Sequence, residues 1–99
     1  MSKYVSNVRF QVSSNKRDSF VQAVTSFNIA DFEGALSHQV VDCGDGRFAT
    51  TVEWESRDAL VVARPGLIAF LDTIKPLLTE ISPESGVTDP ISGAVIFEA

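Results

Sequence analysis

The chain is poor in the residues from which many protein sites are built. It has one cysteine, Cys43, and one histidine, His38, among 99 residues. A lone cysteine forms no internal disulfide, which is typical of a protein of the reducing cytoplasm. One histidine and one cysteine do not supply the ligands of a structural zinc site. We therefore expect a cytoplasmic protein without a metal site.

Basic residues are scarce as well. Eight lysines and arginines stand against 13 acidic residues, so the net charge is −5. Nucleic acids and anionic membrane surfaces are bound by basic patches, which this composition does not favour. No apolar run is long enough to span a bilayer, and the N-terminal MSKYVSNVRF lacks the apolar stretch of a secretory signal. We expect neither a nucleic-acid partner nor a membrane partner.

The sequence does contain enough apolar residues for a small core. Hydrophobic residues make up 44% of the chain, which is typical of a globular protein. A length of 99 residues corresponds to one domain, and we predict a single domain over 1–99.

The first half of the chain changes from strand periodicity to helix periodicity. From Tyr4 to Val12 the apolar side chains alternate with polar ones and share one parity with Ser6, which predicts a strand with one buried face. A helix start follows, with Asn15 and Asp18 in the spacing of a capping box. Ala35 to Asp42 has the pattern of a second strand.

A hairpin and a capped helix come next. Gly44-Asp45-Gly46 predicts a tight turn, because these residues accept positive φ. Arg47 to Trp54 is then the return strand. Ser56 is a suitable N-cap for a helix through about Arg64, and Pro65-Gly66 should break or bend that helix.

The remaining elements are an amphipathic helix and a last strand. Apolar residues from Leu67 to Ile81 keep an i, i+3, i+4, i+7 spacing, and Pro76 within them predicts a kink. Gly93 to Glu98 is predicted as a short final strand.

The order of elements predicts the fold class. Strand, helix, strand, strand, helix, strand is the βαββαβ order of an α+β, ferredoxin-like domain, whose helices cover one face of an antiparallel sheet. The uncovered face would carry a mixture of polar and apolar side chains: Val5, Asn7, Arg9, Val41, Thr51 and Glu53. Because a small domain gains core by pairing, we expect a homodimer formed through this sheet face.

The segments Gly34 to Asp42 and Arg47 to Leu60 carry a resemblance to a known family. The steps are a glycine-led strand, a hairpin, and a strand that ends in Glu53-Trp54 and passes into a helix through Glu55-Ser56-Arg57-Asp58-Ala59. In these features the chain resembles the antibiotic biosynthesis monooxygenase superfamily. The resemblance implies a dimeric α+β barrel with a cavity between sheet and helices in each protomer. It also implies a cofactor-independent monooxygenase acting on a small aromatic or quinol-like compound.

The haem-degrading relatives of this superfamily are a poor match. They need a histidine on the long helix, and residues 66–81 contain none. They also carry an asparagine early in the first strand. Here Asn7 alternates with Val8 and Phe10, so it should point away from the cavity.

His38 is the candidate catalytic residue. It shares parity with Leu36 and Val40, which predicts the covered face. Histidine alone has an ordinary pKa near neutrality, so His38 is the candidate base for a phenol or hydroquinone proton. A hydrogen-bonded structural histidine is the alternative.

Four further residues are candidates for substrate binding. Trp54 shares parity with Phe48 and Val52, so it is either a core anchor or a cavity wall that stacks on a flat substrate. Ser6 is the polar residue of the first strand on the cavity parity. Phe70 lies on the amphipathic helix, and Arg64 either reaches an anionic group at the cavity mouth or complements a helix C-terminus.

A non-catalytic dimeric binding or structural protein of the same fold is the alternative function. A space between sheet and helices filled by Phe20, Val24, Trp54, Phe70 and Ile74 would favour it. An open cavity larger than about 300 Å³ would favour the oxygenase.

Overall fold

The computed structural model of the chain describes residues 3–84 and 86–99. The strands form one antiparallel sheet in the order β2-β3-β1-β4. The predicted α+β, ferredoxin-like fold is therefore confirmed. The described elements are β1 (Tyr4–Gln11), α1 (Arg17–Thr25), β2 (Ala35–Gly44), β3 (Arg47–Trp54), α2 (Arg57–Ile74) and β4 (Thr88–Ala94).

The β2–β3 hairpin has the predicted turn. Gly44, Asp45 and Gly46 have φ of 86°, 57° and 77°, a region that glycine enters without steric cost. The Gly44 N–H donates to the Asp42 carboxylate at 2.9 Å. This bond, followed by the bond from Arg17, lowers the pKa of Asp42 below its ordinary value.

The start of α1 differs from the prediction. A short 3-10 turn at Ser14–Lys16 precedes the helix, and neither helix start receives a hydrogen bond from a capping side chain. The Asn15 side chain instead accepts from the Ser13 hydroxyl at 2.8 Å. The predicted capping box is therefore wrong, because a local side-chain bond competes with the cap.

α2 begins as predicted but does not break at Pro65-Gly66. The Ser56 hydroxyl accepts from the Ala59 N–H at 3.2 Å, which caps the helix. The helix then continues through Pro65 to Ile74. The inward-facing apolar positions keep helical spacing across the proline, and burying them outweighs one lost backbone bond. At Gly66 a Cβ would meet the Phe32 ring at 2.9 Å, so the glycine permits a close packing contact.

The predicted continuation of this helix to Ile81, with a kink at Pro76, is also wrong. α2 ends at Ile74, and Lys75–Leu77 form a 3-10 turn with the proline in its first positions. A missing N–H costs little there, since the first donors of a helix have no internal partner. The chain then extends, and the Thr79 N–H donates to the Gln11 carbonyl at 2.7 Å.

The last strand lies earlier than Gly93 to Glu98. β4 pairs with β1 from Thr88 to Ala94, with Pro90 opposite Val8. A proline is tolerated because β4 is an edge strand, where half of the backbone donors have no partner to lose. The more strand-like residues Ile96 and Phe97 remain 96% and 81% exposed.

The core consists of two clusters on the covered face of the sheet. We call them the Phe20 cluster and the Trp54 cluster. In the first, the Phe20 ring packs on those of Phe10 and Phe48, with centroids 5.5 and 4.8 Å away. In the second, the Phe32 ring meets Trp54 edge-on at 6.4 Å. The Phe20 cluster comprises Phe10, Val12, Phe20, Val24, Phe48 and Ile74, and the Trp54 cluster comprises Val52, Trp54, Leu60 and Ala63.

No helix of the described residues packs against the opposite face of the sheet. There the Asn7 amide donates to the Thr51 hydroxyl at 2.8 Å, and Val41 is 45% exposed. Asn7 therefore points away from the helices, as its parity predicts. No helix in the described ranges has the length and apolar character needed to cross a bilayer.

Candidate functional site

A cavity of about 430 Å³ lies between the sheet and the helices, and residues of both core clusters line it. Its volume exceeds the threshold of about 300 Å³ at which ligand pockets begin. The sheet contributes the floor: Ser6, Val8, Phe10, His38, Thr50, Val52, Pro90 and Ser92. Asn7 and Ile91, a register pair of the opposite parity, also border the cavity. The helices contribute the roof: Val24, Phe27, Leu60, Arg64, Leu67, Ile68, Phe70 and Leu71.

The polar groups of the floor belong to one row across the sheet. His38 pairs in register with Val52, which pairs with Ser6, which pairs with Ser92. Neighbouring strands are about 4.8 Å apart, so His38 and Ser6 stand about 10 Å apart with an apolar side chain between them. A flat ring resting on Val52 would present opposite edges to the imidazole and to the serine hydroxyl.

His38 is half-buried on the cavity side of β2. Its ring meets the Phe27 ring edge-on at 4.9 Å, and no group in the described ranges hydrogen-bonds to the imidazole. Burial lowers the pKa of His38 below its ordinary value of 6.5, because desolvation disfavours the charged form. At pH 7 the imidazole is therefore neutral and able to accept a proton.

Trp54 stands behind the wall of the cavity and does not line it. It is fully buried, and its indole N–H donates to the Ser6 hydroxyl oxygen at 3.0 Å. A hydroxyl that accepts this bond keeps its own proton for a second partner, and Ser6 lines the cavity. The tryptophan is thus a core anchor with one polar contact, and that contact fixes a cavity hydroxyl.

Phe70 and Arg64 both reach the cavity from α2. The Phe70 ring meets Phe27 edge-on at 5.1 Å, which fixes one wall. Arg64 is exposed and lies in the middle of α2, so it does not serve a helix C-terminus. It is the only fully charged side chain in the lining.

Two cavity residues were not predicted from the sequence. Ser92 lies on β4 opposite Ser6, and Thr50 lies on β3 opposite Val8. The alternation of β3 already puts Thr50 on the inner parity with Phe48 and Val52. No comparable pattern pointed to Ser92, because the last strand was predicted to begin at Gly93 and Ser92 was therefore placed in a loop.

The arrangement suits a flat organic ligand with a few polar edges. Most of the lining is aliphatic or aromatic, and the polar groups are hydroxyls, one neutral imidazole and one guanidinium. Pockets of this kind gain affinity from apolar contact and orientation from the few polar groups. Residues 3–84 and 86–99 contain no group of three or more His, Cys, Asp or Glu side chains placed to hold a metal ion.

Comparison with solved structures shows the same fold. A dimeric ferredoxin-like protein from an uncultured marine organism matches with a TM-score of 0.74 and 12% identity, over 100% of this chain and 92% of that one. A candidate antibiotic biosynthesis monooxygenase from Deinococcus radiodurans matches with a TM-score of 0.74 and 20% identity, over 97% and 94%.

A mutant of SnoaB, a cofactor-independent oxygenase from Streptomyces nogalater, matches with a TM-score of 0.67 and 15% identity, over 99% and 97%. The sequence matches no protein-family model and no curated protein. At these identities the likeness extends to the fold, which is that of the antibiotic biosynthesis monooxygenases. The resemblance noted in the sequence is thereby confirmed at the level of the fold.

Proposed function

We propose that the protein is a cofactor-independent monooxygenase that acts on a small aromatic or quinol-like compound. The observation that carries the proposal is the 430 Å³ cavity with a neutral, half-buried imidazole in its wall. The fold of a cofactor-independent oxygenase supports it. A space filled by core side chains would favour the non-catalytic alternative, and an open cavity of this size favours the oxygenase.

In the proposed reaction the substrate supplies the electrons. His38 accepts the proton of a phenolic O–H and leaves an electron-rich anion. A ring carbon of this anion that carries a hydrogen reduces O₂ and bonds to one of its atoms, and the resulting peroxide anion takes the proton back from the His38 imidazolium to give a hydroperoxide. Loss of water from the hydroperoxide forms a ketone, so one oxygen atom enters the product and the other leaves as water. A quinol-like substrate carries a second ring oxygen opposite the one that His38 deprotonates. The Ser6 hydroxyl, which accepts a hydrogen bond from Trp54, would donate to that second oxygen.

The direct test is oxygen uptake with a quinol or an anthrone as substrate. His38→Ala should lower the rate at least ~100-fold, the usual contribution of a general base. Gln39→Ala is the matched control, because Gln39 is exposed on the opposite face of the same strand. Equal rates in the wild type and the His38→Ala variant would remove His38 from the mechanism, and no uptake with any such substrate would remove the function.

The pH dependence adds a second test. Because the folded protein holds the pKa of His38 below 6.5, kcat/KM should be flat above this pH and fall only as the pH drops below it.

The stability of the protein should depend on pH for the same reason. Below pH 6.5 the unfolded chain binds a proton that the folded chain does not, so the free energy of unfolding should also fall there. This loss of unfolding free energy at low pH should be smaller in the His38→Gln variant. If the midpoint of the kcat/KM profile lay above pH 6.5, His38 would not be the base.

We also propose that the protomer pairs with a second copy through the uncovered sheet face. The face combines half-buried polar residues with exposed Val41, and one structural neighbour is described as dimeric. Sedimentation equilibrium should give twice the mass of 10.7 kDa, and Val41→Glu should shift it toward the monomer. A wild-type protein that stays monomeric at tens of micromolar would refute the pairing.

A further inference from the structure

Arg64 occupies a position where the pattern of α2 calls for an apolar side chain. Its neighbours at i−4, i+3, i+4 and i+7 all line the cavity: Leu60, Leu67, Ile68 and Leu71. Helical residues at these spacings share one face. The guanidinium thus belongs to the inner stripe of the helix and stands at the rim of the cavity, where it is still exposed.

The charge of Arg64 has no partner within the described part of the chain. Arg9 pairs with Asp89, and Arg17 pairs with Asp42, but no hydrogen bond or ion pair is made by Arg64. The cavity lining contains no aspartate or glutamate, and burial keeps His38 neutral. The cavity therefore offers one unopposed positive charge.

We propose that the ligand of this cavity is an aromatic carboxylic acid, bound with its carboxylate on Arg64 and its ring on the apolar floor. A planar guanidinium matches a carboxylate with two parallel hydrogen bonds. A single cation fits a monoanion. A phosphate dianion would call for further cations or a helix N-terminus, and neither is in the lining. That the bound acid is also oxidised rests on the proposed oxygenase function, whereas its binding to Arg64 does not.

The test uses a pair of inert ligands of the same shape. 2-Naphthoate and 2-naphthamide differ mainly in charge, and neither has a phenolic proton to lose. Isothermal titration calorimetry at pH 7.5 should give at least ~10-fold tighter binding of the acid to the wild type. Arg64→Gln should reduce the preference below ~3-fold and leave the affinity for the amide unchanged. Arg64→Lys should retain part of the preference, since the charge remains.

Arg57→Gln is the matched control. Arg57 lies in the first turn of the same helix, is exposed, and does not line the cavity. This variant should keep the full preference for the acid. Equal affinity of the wild type for both ligands would overturn the proposal. The absence of binding by either ligand, or an equal loss of preference in both arginine variants, would also overturn it.

The outcome is separable from that of the oxygenase proposal. If the acid is preferred through Arg64 and no quinol consumes oxygen, the ligand class stands and the reaction fails. If His38-dependent oxygen uptake occurs without any preference for the acid, the reaction stands and the ligand class fails.

Discussion

The two core clusters differ in what they do besides pack. The Phe20 cluster is entirely apolar, and the Phe20 ring packs on the rings of Phe10 and Phe48. The Trp54 cluster includes one polar group, the indole N–H, and that group bonds a hydroxyl of the cavity wall. The Phe20 cluster therefore gives the cavity apolar wall only, through Phe10 and Val24, whereas the Trp54 cluster also fixes a polar group of the site.

Both clusters border the open cavity. Each contains fully buried residues, with Phe20 and Trp54 both at 0% exposure. Residues of both clusters line the cavity, so packing in each cluster holds part of its wall: Phe10, Val24, Val52 and Leu60.

Removing the central residue of each cluster should have the largest effect. Phe20→Ala and Trp54→Ala should each lower the free energy of unfolding by about 3–5 kcal/mol, because a fully buried ring leaves a cavity. Urea unfolding at fixed protein concentration measures this. Trp54→Phe separates the two roles, since it keeps most of the packing but loses the bond to Ser6, and it should weaken ligand binding. Val62→Ala, at a 79% exposed position, should change stability by less than about 0.5 kcal/mol. If Phe20→Ala lowered the free energy of unfolding by less than about 1.5 kcal/mol, the Phe20 cluster would not be a main source of stability.

The glycines beside the clusters should have an intermediate effect. A Cβ on Gly46 would lie 2.2 Å from the Val12 carbonyl oxygen, next to the Phe20 cluster. A Cβ on Gly34 would lie 2.6 Å from the Ala59 Cβ, beside the Trp54 cluster. Both have positive φ, so each alanine variant should lose about 3 kcal/mol from strain and displacement. Gly44→Ala has positive φ but open space, and it should lose only about 1 kcal/mol. Equal losses in all three thermal melts would show that the close contacts contribute nothing.

The two helix starts should give the smallest effect. Ser56 caps α2 close to Trp54, and Ser56→Ala should cost about 1 kcal/mol. Ser13 precedes the 3-10 turn before α1 and makes no cap bond, so Ser13→Ala should stay within about 0.5 kcal/mol. Differential scanning calorimetry resolves both changes. A larger loss for Ser13→Ala than for Ser56→Ala would reverse the assignment of the caps.

Local patterns were sufficient for most of the fold. The alternation of β1 and β3, the glycines of the hairpin and the Ser56 cap all depend on neighbouring residues, and the structure has each of them as predicted. The errors have different causes. Pro65 was interpreted by its local cost, whereas burial of a helical face carries α2 through it. The last strand was placed too late, because its pairing with β1 is not a property of neighbouring residues.

The sequence by itself determined the order of elements, the covered face of the first three strands, and therefore the inward position of His38, Ser6 and Trp54. Parity is a property of consecutive residues, so it needs no knowledge of the rest of the chain. Only the tertiary structure decided that Trp54 bonds Ser6 without lining the cavity, that Ser92 completes the row, and that the described lining around Arg64 contains no acidic residue. These facts depend on strand register and on the distance between helix and sheet, which are set by packing among residues far apart in the chain.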